Sequence, residues 1–266
     1  MEIKTDKIEK ALKLENTPMV FAHSFNRILY YLPLTENLDI SCLPEVWDMK
    51  VNEGLVNIPP PLPDKKDQKK LLDGYKIIMY RYLLRDCIES FALALDDLYA
   101  VLQVRQKGGI KNLKEEDRKK AKSFAQMGIY RKKDGKLQRL KKDFGLELPE
   151  DNRKALSGLK DIRDCLSHNN GLIMPHHGQK TGQRYERKFS WFTNKVYALG
   201  KTTGKKYDPT SSILPKEEVS LKIELIPNEK IFKTNEYITF SPGEVFDISY
   251  SLKLSIMKLV ENALKI

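Results

Sequence analysis

Apolar positions recur at helical spacing over most of the chain and switch to strict alternation only near its C-terminal end. Phe21, Phe25, Ile28, Leu29 and Leu32 fall three or four apart, the mark of a helix with one apolar side. Residues 1 to about 57 read as short helices joined by turns. The run Pro59-Pro60-Pro61-Leu62-Pro63 is neither helix nor central strand, because proline lacks the amide donor. It reads as a stiff extended connector, with a proline-recognition ligand as the alternative. A long helix follows over about 66–106. Leu71, Tyr75, Ile78, Tyr82, Phe91, Leu95, Leu98 and Leu102 form one stripe on it; Leu72, Leu83, Leu84, Cys87, Ile88 and Leu93 form a second. A helix apolar on most of its girth sits at the centre of a bundle or shares one face with another subunit. Gly108-Gly109 ends it.

Residues 111–143 are dense in Lys and Arg, with Phe124, Met127 and Ile129 as core-facing candidates. The next helix starts near Pro149, with Glu150 and Asp151 in its first turn. Its stripe is Leu156, Leu159, Ile162 and Cys165-Leu166, and Asn169, Asn170 and Gly171 stop it near 170. Residues 172–216 read as a basic, loop-rich insertion, with a short strand pair suggested by Phe189, Trp191, Phe192, Val196 and Tyr197. Val219, Leu221, Ile223 and Leu225 then alternate with Ser220, Lys222 and Glu224, predicting a half-buried strand that Pro227-Asn228 turns. Ile231-Phe232 and Tyr237 to Phe240 supply further strand material. Ser241-Pro242-Gly243-Glu244 is a capping box for a last helix to about Lys265, with Val245, Ile248, Leu252, Ile256, Leu259 and Leu264 inward.

The formal charge is +11, which favours polyanionic partners, nucleic acid first. A lysine-rich solvated surface gives the same balance. Tyr130, Tyr185, Phe189 and Trp191 are interspersed among the basic residues of 111–143 and 176–206, a pattern suited to phosphate contact and base stacking. The candidates for RNA contact are Arg131, Lys132, Lys133, Lys180, Arg184, Arg187 and Lys188. Three cysteines with no CxxC spacing argue against a disulfide framework and for a reducing compartment. No signal-peptide pattern opens the chain, and six charges interrupt the apolar stretch 77–102, so the expectation is a cytoplasmic protein without a membrane partner.

The densest chemistry lies in Arg163-Asp164-Cys165-Leu166-Ser167-His168. Asp164 and His168, four apart on a helix, share a face, and a carboxylate on one imidazole nitrogen aims the other outward. Arg163 offers a fork that binds phosphate and stabilises developing charge. Ser167 and Asn169 are supporting hydrogen-bonders. RNA carries its own nucleophile, the 2′-hydroxyl, so cleavage needs only a proton acceptor, a proton donor and an anion stabiliser. Two subunits about a twofold axis would supply two histidines and two arginines. A histidine at a helix C-terminus is also favoured by the dipole alone, so the spacing by itself carries little. Arg85, Asp86 and Glu89 on the long helix either pair internally or line the cleft opposite Arg163 and His168. His176-His177 with His168 and Cys165 is a poor zinc set, since adjacent histidines rarely hold one ion.

Arg163 to Gly171 resembles the signature of the HEPN superfamily (higher eukaryotes and prokaryotes nucleotide-binding domain). That signature is an Arg, usually followed by a polar residue, then four to six residues to a His. The layout is also similar: a long early helix, the motif helix, a β-hairpin-like segment and a closing helix, over roughly 66–266. The resemblance implies a mainly α fold, a HEPN-like helical bundle with a small β appendage near the C-terminus. In that layout 1–63 is an N-terminal helical extension, and 64–266 the HEPN-like domain with its insertion at 172–216. It further implies a homodimer and metal-independent endoribonuclease activity at a composite cleft, without a cofactor. Arg163 and His168 would be the catalytic pair and Asp164 the supporting polar residue. Such proteins are frequent in toxin–antitoxin and antiviral defence systems, so a neutralising antitoxin or defence partner is implied, as is a non-catalytic RNA-binding or scaffold role. Members silenced by a nucleotidyltransferase carry a Tyr two residues after the His; here that residue is Asn170, which speaks against such an antitoxin.

Overall fold

A computed structural model describes residues 13–39, 41, 47–51, 54–58, 65–129, 135–156, 158–168, 170–175, 179–181, 184–209 and 217–266. It is mostly helical, with a small antiparallel sheet toward the C-terminal end. The Pro59–Pro63 run lies outside the described residues. Helix α1 is Thr17–Glu36, and its expected apolar side is buried at Phe21, Phe25, Ile28 and Leu32, while Leu29 is exposed. Residues 47–58 depart from the helices expected there. Strands β1 (Trp47–Val51) and β2 (Gly54–Ile58) form an antiparallel hairpin. Trp47, Met49 and Val51 alternate with Asp48 and Lys50, a period of two that favours a strand.

Helix α2 (Lys65–Gln106) is the spine, and it closely follows the predicted span. Leu83, Leu84, Cys87, Ile88, Phe91, Ala94, Leu95 and Leu98 are almost wholly enclosed. Burying a side chain of this size contributes about 1.5–3 kcal/mol. Ser24 and Ser90 share a hydrogen bond of 2.5 Å between α1 and α2, and Arg27 pairs with Asp86 at 3.2 Å. The first predicted stripe divides. Phe91, Leu95, Leu98 and Leu102 are buried, but Leu71, Tyr75, Ile78 and Tyr82 are 46–56% exposed. Leu93 of the second stripe is exposed as well. Gly108 and Gly109, both with positive φ, end the helix as the glycine pair predicts.

Helices α3 (Glu115–Ala125) and α4 (Lys136–Phe144) pack on the C-terminal half of α2. Phe124 stacks on Tyr99 with ring centroids 4.0 Å apart. Lys136 is only 3% exposed; its ammonium reaches Asp96 at 2.5 Å and faces the Phe124 ring. The single helix expected from Pro149 to about 170 is two: α5 (Glu150–Leu156) and α6 (Leu159–His168). The break falls beside Gly158, where a Cβ would meet Phe189 Cδ1 at 3.3 Å. Sheet backbone crosses closely at the one place where the chain offers no side chain. Leu156, Leu159, Ile162, Cys165 and Leu166 are buried as predicted.

Strands β3 (Gln179–Thr181), β4 (Arg184–Gly200), β5 (Lys206–Tyr207) and β6 (Val219–Lys233) form one sheet. β4 and β6 pair along their length, from Glu186↔Lys233 to Gly200↔Val219. The short strand pair expected inside 172–216 is thus part of a long ribbon. Pro227 does not turn β6; it sits in the ladder opposite Phe192. Proline is tolerated there because β6 pairs with β4 alone among the described strands, so the missing amide costs no ladder bond. The predicted half-burial of β6 also fails, with Leu221 70% exposed and Ile223 open beside Val196. Helix α7 (Pro242–Ala263) underlies the ribbon near Phe192 and Asn194, through Ser251 and Asp247. At the base, Phe189, Trp191, Phe232 and Phe240 form an aromatic cluster. Tyr237 to Phe240 contribute a single bridge, Leu172↔Tyr237, rather than a strand. The Ser241–Glu244 capping box forms as predicted, and Leu264 is exposed rather than inward. Residues from Leu14 to Ala263 join one hydrophobic cluster. No described helix is long and apolar enough to cross a membrane.

Candidate active site

Helix α6 places Arg163 on its rim and Cys165 in the core. Burial, then the nearby Asp164 charge, push the Cys165 thiol up to about 12, so it is a packing residue and not a nucleophile at neutral pH. Arg163 is 45% exposed, and its Nη1 lies 3.1 Å from Asp164 Oδ1. Its Nε lies 3.8 Å from Glu89 Oε1 on α2. Ser167 Oγ donates to the same Glu89 oxygen at 3.4 Å. Glu89 thus pairs with Arg163 and Asp86 with Arg27, the internal pairing that is one of the two alternatives for these residues. Arg163 presents a half-open fork, available to a phosphate in competition with two carboxylates. His168 closes the helix, but its side chain and all of Asn169 lie outside the described residues. The expected Asp164–His168 contact falls there too.

Beyond Asn169 the chain turns back on itself. Asn170 (φ 49°) and Gly171 (φ 84°) adopt left-handed backbone, as their residue types predict. The Gly171 amide donates to Cys165 O at 2.8 Å, and Gly171 O accepts from the Ile238 amide at 2.7 Å. Arg81 of α2 locks this junction. Its Nε donates to Ile238 O at 2.9 Å and its Nη1 to Asn170 O at 3.3 Å, with the guanidinium 4.9 Å from the Tyr237 ring centre. Burial lowers the Arg81 pKa, against a smaller upward pull from Tyr237. Sequence reasoning gave Arg81 no role at the motif, and nothing local signals it: its partners are 89 and 157 positions away. Arg81, Arg85, Tyr82, Ile78, Leu166 and Asn170 enclose an open cavity of about 130 Å³ at this junction.

The expected RNA contacts are scattered. Arg131, Lys132 and Lys133 lie outside the described residues, as do His176 and His177. Lys180 is on β3 opposite Tyr185, and Arg184 opens β4 opposite Thr181; their side chains are not among those described. Arg187 is half-buried opposite Phe232, and burial lowers its pKa, so it faces the aromatic base more than solvent. Lys188 is exposed and paired with Glu229. Among the described residues no three His, Cys, Asp or Glu side chains converge on a metal-sized space. In comparisons with known proteins, no family model, curated protein or solved structure matches the chain.

Proposed function

We propose that the protein is a metal-independent endoribonuclease whose site is completed by a second copy of the chain, in a toxin–antitoxin or antiviral-defence setting. The reaction moves protons and one phosphoryl bond. A His168 imidazole takes the proton of a 2′-hydroxyl, the 2′-oxygen bonds to the adjacent phosphorus, and the P–O5′ bond breaks. His168 of the second copy protonates the departing 5′-oxygen, and Arg163 stabilises the charge on the phosphorane. The products are a 2′,3′-cyclic phosphate and a 5′-hydroxyl. Asp164 and Glu89 aim the Arg163 fork, and Ser167 ties Glu89 to the motif helix.

The observation that carries this reading is the open Arg163 fork on the helix that ends at His168, beside an uncovered apolar stripe. That stripe, Leu71-Tyr75-Ile78-Tyr82, has the four-three-four spacing of a helix-pairing seam and stops short of Arg85. The test is incubation with RNA in EDTA, wild type beside Arg163→Ala and His168→Ala. Each substitution is expected to lower cleavage by at least about a hundredfold, with cyclic-phosphate ends on the wild-type products. Undiminished cleavage by both variants removes the site assignment.

A second reading, a non-catalytic RNA-binding or scaffold module, draws on the same geometry. Arg163 already has two carboxylate neighbours, which weakens its call on a phosphate. It expects RNA affinity with a steep salt dependence and no turnover.

A further inference from the structure

We propose that the cavity between α2 and the end of α6 holds a phosphate group of the RNA chain next to the one being cut, gripped by Arg85. This rests on the RNA-directed reading above, without requiring that cleavage occur. The lining contains two arginines, Arg81 and Arg85, and no acidic residue. Arg81 is committed to the carbonyls of Asn170 and Ile238, so it forms a fixed positive wall. Arg85 forms no ion pair among the described residues. Its guanidinium carbon lies 5.5 Å from the centre of the Tyr82 ring and the side chain lines the cavity; a guanidinium stacked on a ring keeps its in-plane donors for an anion. The neighbouring acids are otherwise engaged: Asp86 with Arg27, and Glu89, one turn on, with Arg163 and Ser167.

Size and place agree with this assignment. A cavity of about 130 Å³ exceeds the ~30 Å³ share of one water and falls short of the ~300 Å³ at which drug-sized pockets begin. It suits one phosphate and not a whole nucleotide. Leu166 and Asn170 come from the motif helix and its exit, so the cavity opens beside the end of α6 that carries His168. Glu89, whose carboxylate lies 3.8 Å from Arg163, stands one helical turn after Arg85, so an RNA chain held by its phosphate at Arg163 would offer a neighbouring phosphate toward Arg85. Arg85 would be a substrate-positioning residue and Arg163 the charge stabiliser.

The test uses full-length protein and a fluorescein-labelled single-stranded RNA carrying 2′-O-methyl groups, which 2′-hydroxyl attack cannot cut. Anisotropy is followed over a salt series for wild type, Arg85→Ala and Arg85→Lys, with thermal midpoints to confirm folding. Arg85→Ala is expected to weaken binding about tenfold and to flatten the logarithmic salt slope by about 0.7, the share of one single-strand phosphate. Arg85→Lys is expected to keep the slope and lose part of the affinity, because a point charge replaces a fork. Inorganic phosphate at constant ionic strength, added as competitor, distinguishes a site for the free anion. Wild-type affinity and slope in Arg85→Ala overturn the proposal, and so does Arg85-dependent phosphate binding without Arg85-dependent RNA binding. Unmodified RNA left uncut by the wild type, with Arg85-dependent binding intact, removes the nuclease reading and leaves the phosphate site standing.

Discussion

Gly171 stands where a Cβ would be doubly unwelcome. Its φ of 84° is left-handed, and an added Cβ would meet Arg81 Nε at 3.2 Å and Cζ at 3.4 Å. Gly171→Ala is therefore expected to cost about 1–2 kcal/mol in denaturant unfolding, from the backbone conformation alone. It should also lower any activity of the site, because displacing Arg81 loosens the exit from the motif. A variant with wild-type stability would mean that the turn readily adopts another shape. At this scale, part of the site was legible. Asn170 and Gly171 announce a helix stop by their conformational freedom, and Arg163, Asp164 and Ser167 announce polar chemistry by type. Arg81 and Glu89 were harder to place. An Arg and a Glu on a long apolar helix have no visible partner until folding brings α6 and residues 237–238 alongside.

Among the elements, the β4–β5 turn carries a built-in pH response. The Glu217 carboxylate accepts the amides of Thr202 and Thr203, each at 2.9 Å, together with the Thr203 and Tyr207 hydroxyls. Those bonds, led by the Thr203 hydroxyl, hold its pKa down at about 2, below the ordinary 4.5. A depressed carboxylate favours the fold when ionised, so the clamp is complete above pH 4.5 and is lost as pH falls toward 2. The protection of the Thr202 and Thr203 amides, relative to an unstructured chain at the same pH, is expected to fall over that window, and Glu217→Gln to lower it already at neutral pH. Exchange that ignores both changes would deny the clamp. The long helix was readable almost to the residue because 3.6-periodicity accumulates over eleven turns. The break at Gly158 was not, since its cause is a strand crossing from 30 positions on. Nor was the ribbon's length, because an edge strand escapes the rule that makes proline a stop signal.

For the whole molecule, the question is what covers the Leu71-Tyr75-Ile78-Tyr82 stripe. If a second copy does, Tyr75→Asp should weaken self-association by about tenfold or more in sedimentation. Tyr75 is exposed and lines no described cavity, so folding and Arg85-dependent RNA binding should survive while cleavage falls. A wild type that sediments as a monomer at micromolar concentration would rule out the composite site. The charge of +11 predicts polyanion binding at this scale and says nothing about where. Arg81 adds a consequence in time. The motif's exit hangs on an arginine that also needs the carbonyl of Ile238, and Gly171 itself needs the Ile238 amide. A ribosome making this chain completes the Arg163–His168 segment long before it supplies those two anchors. The nascent chain therefore carries the finished motif for about seventy residues, from His168 to Ile238, before its exit can be anchored, and a product truncated before Ile238 should keep the motif yet lack its shape.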